Sequence, residues 1–315
     1  VSAAASPLQL TVVGGFLGAG KTTLVNRLLS CAKGRYLVLV NDFGAVNIDA
    51  DLIAAHDGDT IRLTNGCVCC SLADNFLDTL IRLLDGPLPF DQLIVEASGV
   101  GDPYAIAEIA LVEPDLALNA VVVVADAERI VTLLADPRLG DTVRRQIAGA
   151  DLVLLNKIDL VAAGEVQRGR KALVDAKPGL RVVPVAAAAV PHDLLGLGPR
   201  SGGGRRFTAE AAGHEQTFTR ALYRGSGCFD RAHLGEQLDR LPPSVLRLKG
   251  ICRLAGFETP FLLQMVGARW SMAPQPDLPV RDFAIELVAI GTPDMPSEAA
   301  LGALFDAALA TGAPA

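Results

Sequence analysis

The chain has 315 residues, 50% of them hydrophobic and 20% charged. That balance excludes a wholly disordered polymer and leaves room for about two domains with proper cores. Gly 31 and Pro 19 stay near ordinary usage, which excludes collagen-like and low-complexity readings. The net charge of −7 argues against bulk binding to nucleic acid or to an anionic membrane. No apolar run approaches the roughly 18–20 residues that span a bilayer.

Residues 1–20 carry no charged side chain. They lack the basic start of a secretory signal and run into a glycine-rich turn, so they read as a short tail and a buried first strand. Leu8–Val13 is that strand, and Thr22–Leu29 follows as a helix. Tyr36–Val40, Leu93–Val95, Ala120–Ala125, Leu152–Leu155 and Arg181–Val185 are further strands, several of them continuous apolar runs of the kind found in parallel sheets covered on both faces. Helical patterns lie between them at Asn75–Leu84, Thr142–Ala148 and Glu165–Ala176. This alternation predicts an α/β fold, an open and mainly parallel sheet with ligands at the carboxyl ends of its strands. Residues 1–195 are expected to form this domain. Residues 196–216, rich in Gly and Arg, read as a linker. Residues 217–315 read as a smaller α+β domain, with strands at Phe218–Tyr223, Val245–Leu254, Phe261–Trp270 and Phe283–Ile290 and helices at Phe229–Leu241 and Ser297–Leu309.

Gly15-Phe-Leu-Gly-Ala-Gly20-Lys21-Thr22 satisfies G-x-x-x-x-G-K-[ST] between a strand and a helix, the context this P-loop NTPase motif requires. Gly15, Gly18 and Gly20 let the backbone curl until the N–H groups around Ala19 and Thr23 face one anion, and the helix N-terminus adds positive potential. Lys21 reaches the β- and γ-phosphates and the Thr22 hydroxyl ligates Mg²⁺. Asn156-Lys157-Ile158-Asp159 follows a late strand. Its N-K-x-D spacing suits guanine, because the Asp159 carboxylate accepts from both the N1–H and the N2 amine, a donor pair adenine lacks. The Lys157 stem lies along the purine and Asn156 braces neighbouring loops. GTP and GDP are therefore the expected ligands. Glu96-Ala-Ser-Gly99 follows another strand; Glu96 supports the Mg²⁺ shell and Gly99 offers an N–H near the γ-phosphate. Asp42, after the second strand, is placed to touch Mg²⁺, the attacking water or a second metal.

Six cysteines do not make a disulfide scaffold, and three of them, Cys67, Cys69 and Cys70, fall within four positions. Such a cluster points to metal or redox chemistry in a reducing compartment, the cytoplasm. Three thiolates favour Zn²⁺ or Cu(I), accept Co²⁺ or Ni²⁺, and leave a tetrahedral ion one open position. The same residues also read as buried or redox-labile thiols. Cys31, Cys228 and Cys252 read as packing residues, and His192 and His214 as solvated.

In order, GGFLGAGKTTLVNRLL, NDFGAVNIDADLI, NGCVCC, VEASGVGDP and LLNKIDL resemble the CobW-type metal-chaperone P-loop GTPases, the CobW/HypB/UreG-like group. Phe218 to about Gly291, with Arg247-Leu-Lys-Gly250, resembles that family's C-terminal domain. The resemblance implies a GTPase whose nucleotide state controls uptake and release of a transition metal, Zn²⁺ or Co²⁺, at Cys67, Cys69 and Cys70, with handover to a client metalloprotein. It implies an order–disorder switch tied to the γ-phosphate. Two departures stand out: Asp42 occupies the place of the family's usual Glu, and the segment before the second domain carries only His214 where many members are His-rich. A slow intrinsic rate is expected, because no arginine finger or water-positioning Gln is placed by the motifs. Two alternatives stay open. One is a GTPase switch with structural or redox-sensing cysteines that acts through a protein partner; the other is a small-molecule kinase, which N-K-x-D disfavours. The sequence leaves open whether the chain forms a homo-oligomer.

Overall fold

The computed structural model describes residues 7–30, 36–40, 80, 84, 90, 92–195, 218–275 and 285–310. The chain divides into two compact units, Val1–Arg200 and Ser201–Ala315.

Among the described residues the first unit has six parallel strands: β1 (Leu8–Gly14), β2 (Tyr36–Val40), β3 (Gln92–Glu96), β4 (Leu116–Asp126), β5 (Leu152–Asn156) and β6 (Arg181–Pro184). Their order in the sheet is β2-β3-β1-β4-β5-β6, every pair parallel. Every residue of β2, β3 and β5 is buried. Both faces are therefore covered, which is why these strands are continuous apolar runs rather than alternating ones. The described helices are α1 (Lys21–Ser30), α2 (Pro103–Val112), α3 (Ile130–Ala135), α4 (Gly140–Ala148) and α5 (Ala163–Ala176). α1 buries Leu24, Val25 and Leu28, each contributing about 1.5–3 kcal/mol relative to exposure. On the sheet, Leu10, Val12, Leu39, Leu93 and Val95 form one cluster with Ile106 and Ala107 of α2. Val123, Val153 and Leu155 form another with Ile130, Val143, Ile147 and Leu173 of α3, α4 and α5.

The strand order reverses around β1, whose neighbours β3 and β4 lie on either side of it. A crevice opens at such a reversal, at the carboxyl ends of the strands. Register brings particular residues to that edge: Glu96 of β3 pairs with Val13, and Asp126 of β4 pairs with Asn156 of β5.

Some elements differ from the sequence reading. The pattern over Asn75–Leu84 is described only at Leu80 and Leu84, both helical. Helices α2 and α3 escape the periodicity reading. α2 begins at Asp102, whose carboxylate accepts from Tyr104 N–H, with Pro103 in the first turn, the usual chemistry of a helix start.

The second unit is an antiparallel sheet of β7 (Thr219–Gly225), β8 (Val245–Cys252), β9 (Phe261–Val266), β10 (Arg269–Pro274) and β11 (Ile285–Gly291), in the order β10-β9-β8-β11-β7. Helices α6 (Arg231–Asp239) and α7 (Glu298–Asp306) complete it. The apolar stretch Phe261–Trp270 is two strands rather than one. Gly267, at φ +59, turns the chain after Val266 and Arg269 pairs back with it. The core gathers Phe229, Leu234, Leu248, Leu263, Leu287 and Phe305. Tyr223 stacks with Phe229 and packs at a tilt against Phe305, and its hydroxyl donates to Asp306 Oδ1 at 2.7 Å. Burial and the neighbouring Asp306 both raise the Tyr223 phenol, so it stays protonated. Burial pushes the Cys252 thiol up to about 12. Cys252 is therefore a small apolar packing group and no thiolate ligand at neutral pH. Among the described residues no helix is long and apolar enough to cross a membrane.

Candidate functional site

The site grows from the turn after β1. Gly15 has φ +132, and a Cβ there would fall 2.1 Å from the Val124 carbonyl oxygen of β4. No side chain fits, so the loop rests directly on the neighbouring strand. Gly18 and Gly20 have φ +75 and +106, a left-handed path that L side chains rarely take. Ala19 N–H donates to the Phe16 carbonyl at 3.2 Å and closes the curl. α1 starts at Lys21, so its free N–H groups and dipole point back into the loop. The Lys21 side chain is buried and its Nζ lies 3.5 Å from the Phe16 carbonyl oxygen, across the loop.

On one flank stands β3. Thr22 Oγ1 donates to Glu96 Oε1 at 2.9 Å, and Ala97 N–H donates to the Val13 carbonyl at 2.8 Å. A hydroxyl and a carboxylate this close form a hard oxygen pair of the kind Mg²⁺ takes. Glu96 is only 2% exposed, a position where a carboxylate requires a cation or strong donors. The donor set therefore fits a divalent ion. Past Glu96, the turn through Gly99 presses on the loop tip. A Cβ on Gly99 would fall 2.4 Å from Leu17 Cδ2. The turn is held from behind by Gln146, buried on α4, whose Nε2 donates to the Gly99 and Gly101 carbonyls at 3.2 and 2.9 Å.

On the other flank stand β4 and β5. Asn156, 2% exposed, donates from Nδ2 to the Ala19 carbonyl at 2.9 Å and accepts at Oδ1 from Ala188 N–H at 2.7 Å. One side chain thereby ties the phosphate loop to the turn after β6, where Ala187 and Ala188 take φ +47 and +55. Lys157 is itself left-handed, φ +64 and ψ +31. Its Nζ lies 2.7 Å from Asp126 Oδ2. Asp159 follows on an exposed single turn of 3₁₀-helix, Ile158–Leu160.

Gly15, Gly18, Ala19, Gly20, Lys21, Thr22, Thr23, Glu96, Gly99, Asn156, Lys157 and Asp159 thus share one edge of one sheet. Asp42, Cys67, Cys69 and Cys70 lie outside the described residues, as do Cys31 and His214. Among the described residues there is no group of three or more His, Cys, Asp or Glu able to hold a metal ion. Four contributors escape the motif reading. Asp126 ends the apolar strand β4, Gln146 follows Arg144 and Arg145 on α4 with no motif around it, and Arg129 donates from a guanidinium nitrogen to the Leu17 carbonyl at 3.3 Å. The Ala187–Ala188 turn is signalled only by a run of alanines after β6.

Comparison with known proteins agrees with this architecture. Residues 9–184 match the family model described as CobW/HypB/UreG, nucleotide-binding domain, more than half of the chain. The chain belongs to the CobW/HypB/UreG family. Residues 218–309 match the cobalamin synthesis protein CobW C-terminal domain. A relative named zinc chaperone CobW, from Sinorhizobium sp, is 30% identical over 311 residues, covering 83% of this chain and 86% of that protein. The zinc chaperone YjiA of Escherichia coli is 34% identical over 183 residues, covering 55% of this chain and 56% of that protein. A zinc-regulated GTPase metalloprotein activator 1 from Schizosaccharomyces pombe is 32% identical over 168 residues, covering 50% and 40%. In this CobW/HypB/UreG chain the glycine-rich loop and the N-K-I-D segment are thus parts of one nucleotide-binding unit.

Proposed function

We propose that this protein binds GTP with Mg²⁺, hydrolyses it to GDP and phosphate, and uses the nucleotide state to take up a transition metal, zinc in the first place, and pass it to a client metalloprotein. The observation that carries the nucleotide part is the meeting of three motifs around the loop: Thr22 on Glu96, Asn156 on Ala19, and Gly99 against Leu17. The metal part rests on Cys67, Cys69 and Cys70 together with the zinc-chaperone names of the relatives.

In this reading the N–H groups around Gly15, Gly18, Ala19, Gly20 and Thr23 cradle the phosphates, and Lys21 swings from the Phe16 carbonyl to the β- and γ-oxygens. Thr22 and Glu96 hold Mg²⁺, which when bound neutralises charge on the β- and γ-oxygens. The Gly99 N–H meets the γ-phosphate from the side, and its loss on hydrolysis releases the turn that Gln146 holds. Asp159 reads guanine. Asp42 serves the attacking water or a metal. The cargo ion is held by the three thiolates with one position left for exchange, which suits transfer rather than a closed structural site. Tighter metal binding in the GTP state requires equally tighter GTP binding in the metal state.

The test is a Zn²⁺ and Co²⁺ titration of reduced protein with Mg²⁺ and either GDP or a non-hydrolysable GTP analogue, reading cobalt–thiolate absorption. One tight ion per chain in the analogue state, lost in Lys21→Ala, is expected. Equal affinity in both nucleotide states makes the metal structural and ends the switch reading.

A further inference from the structure

We propose that Asp126 is a positioning residue for guanine recognition: it acts by pinning Lys157, and so sets where the base-reading turn presents Asp159. The inference rests on the guanine-nucleotide reading above and deepens it.

The pinning is built into the sheet. β4 ends at Asp126 and β5 at Asn156, and the two are register partners in a parallel pair. Ala127 N–H also donates to the Asn156 carbonyl at 2.9 Å. The carboxylate therefore emerges beside Lys157 by strand register. Both of its oxygens are used: Oδ2 takes the Lys157 ammonium at 2.7 Å and Oδ1 accepts from Glu128 N–H at 3.0 Å. The Asp126 side chain is only 5% exposed, against 31% for Lys157. Removing either partner would leave a charge uncompensated beside a carboxylate this buried, so the pair is costly to break once formed.

Lys157 needs such a hold. It takes the left-handed conformation without being glycine, which persists only where the surroundings over-determine it. That conformation bends the chain just after β5: Ile158 packs against the core and its N–H donates to the Val185 carbonyl at 3.4 Å, while Asp159 and Leu160 are left exposed. Its chain neighbour Asn156 is tied to Ala19 and Ala188, and Asp126 holds its ammonium, so the lysine stem runs between two held points. It becomes a rail along which a purine can lie. A lysine without its anchor swings freely, and the turn that follows it loses one of its two fixed ends.

A merely structural ion pair would change stability and weaken every nucleotide alike. A positioning role changes which base is preferred. The probes are GDP and IDP, measured by displacement of a fluorescent GDP from the full chain, because inosine lacks the N2 amine that Asp159 would accept. In Asp126→Asn we expect about tenfold weaker GDP binding and a GDP-over-IDP preference reduced severalfold. Lys157→Met should do the same. The double variant should be no worse than the worse single one, since residues acting through one contact are not additive. An unchanged preference in Asp126→Asn, or additive losses in the double variant, overturns the proposal. If the unpaired lysine prevents Asp126→Asn from folding, Lys157→Met and the double variant still decide. Equal and reduced preference in both supports it; wild-type preference in Lys157→Met, or a further drop in the double, overturns it. Wild-type protein that prefers ADP to GDP would instead remove the guanine reading itself.

Discussion

Replacing Asn156 by alanine should uncouple the phosphate loop from the base-reading side. Asn156 makes two hydrogen bonds in a dry setting: to the Ala19 carbonyl at 2.9 Å and from Ala188 N–H at 2.7 Å. Ala19 and Ala188 are 1% and 0% exposed, so water does not readily replace the lost amide. Each buried polar group left unsatisfied costs about 1–3 kcal/mol, which for the pair comes to about 4 kcal/mol at mid-range. In a unit of this size each 1 kcal/mol moves Tm by about 2–4 °C. The nucleotide-free protein should therefore unfold about 8–16 °C lower. The phosphate loop is one of the two groups released, so affinity for GDP should also fall, by about tenfold for each 1.4 kcal/mol felt by the bound loop. Asn156→Asp separates the two bonds. It still accepts from Ala188 but sets a buried carboxylate oxygen against the Ala19 carbonyl with no cation among its partners, so both Tm and GDP affinity should fall at least as far as in Asn156→Ala. Differential scanning calorimetry and fluorescent GDP titration read both. Variants that unfold within about 2 °C of wild type and bind GDP within twofold would refute the reasoning, because the bonds would then hold nothing together.

Other substitutions probe the rest of the edge. Gly15→Ala places a Cβ 2.1 Å from the Val124 carbonyl oxygen and should abolish nucleotide binding by forcing the loop off β4; retained GDP affinity counts against the loop geometry. Gln146→Ala leaves the Gly99 and Gly101 carbonyls without their side-chain donor. It should destabilise by about 1–3 kcal/mol and slow GTP hydrolysis more than it weakens GDP binding. Equal kcat in the variant would show that the turn needs no support from α4. Cys69→Ala should weaken Zn²⁺ binding while leaving GDP affinity in metal-free buffer unchanged; a matching loss of GDP binding would mark the segment as structural.

Much of the fold is legible in the sequence for identifiable reasons. Strands buried on both faces need continuous apolar runs, and β2 (Tyr36–Val40) and β5 (Leu152–Asn156) show them at nearly the positions read. α3 is harder to see because it is short, Ile130–Ala135, too short for periodicity to register. The β9–β10 hairpin reads as one strand because Gly267 is the only turn-forming residue within Phe261–Trp270, and its positive φ is visible in the backbone alone.

Local chemistry determines part of the site by itself. A loop that must wrap an anion needs glycine where φ is positive, and a helix must begin directly after it. Both requirements sit within eight consecutive residues, and the N-K-x-D segment is as compact. The partners of those residues are a different matter. Asp126 meets Lys157 across 31 positions of sequence, Gln146 reaches Gly99 across 47, and Asn156 reaches Ala19 across 137. None of these pairs leaves a periodic or local mark, because strand order and register alone bring them together. The sequence names the groups proposed to meet a nucleotide. Only the parallel sheet, reversing around β1, decides which buried side chains hold those groups in place.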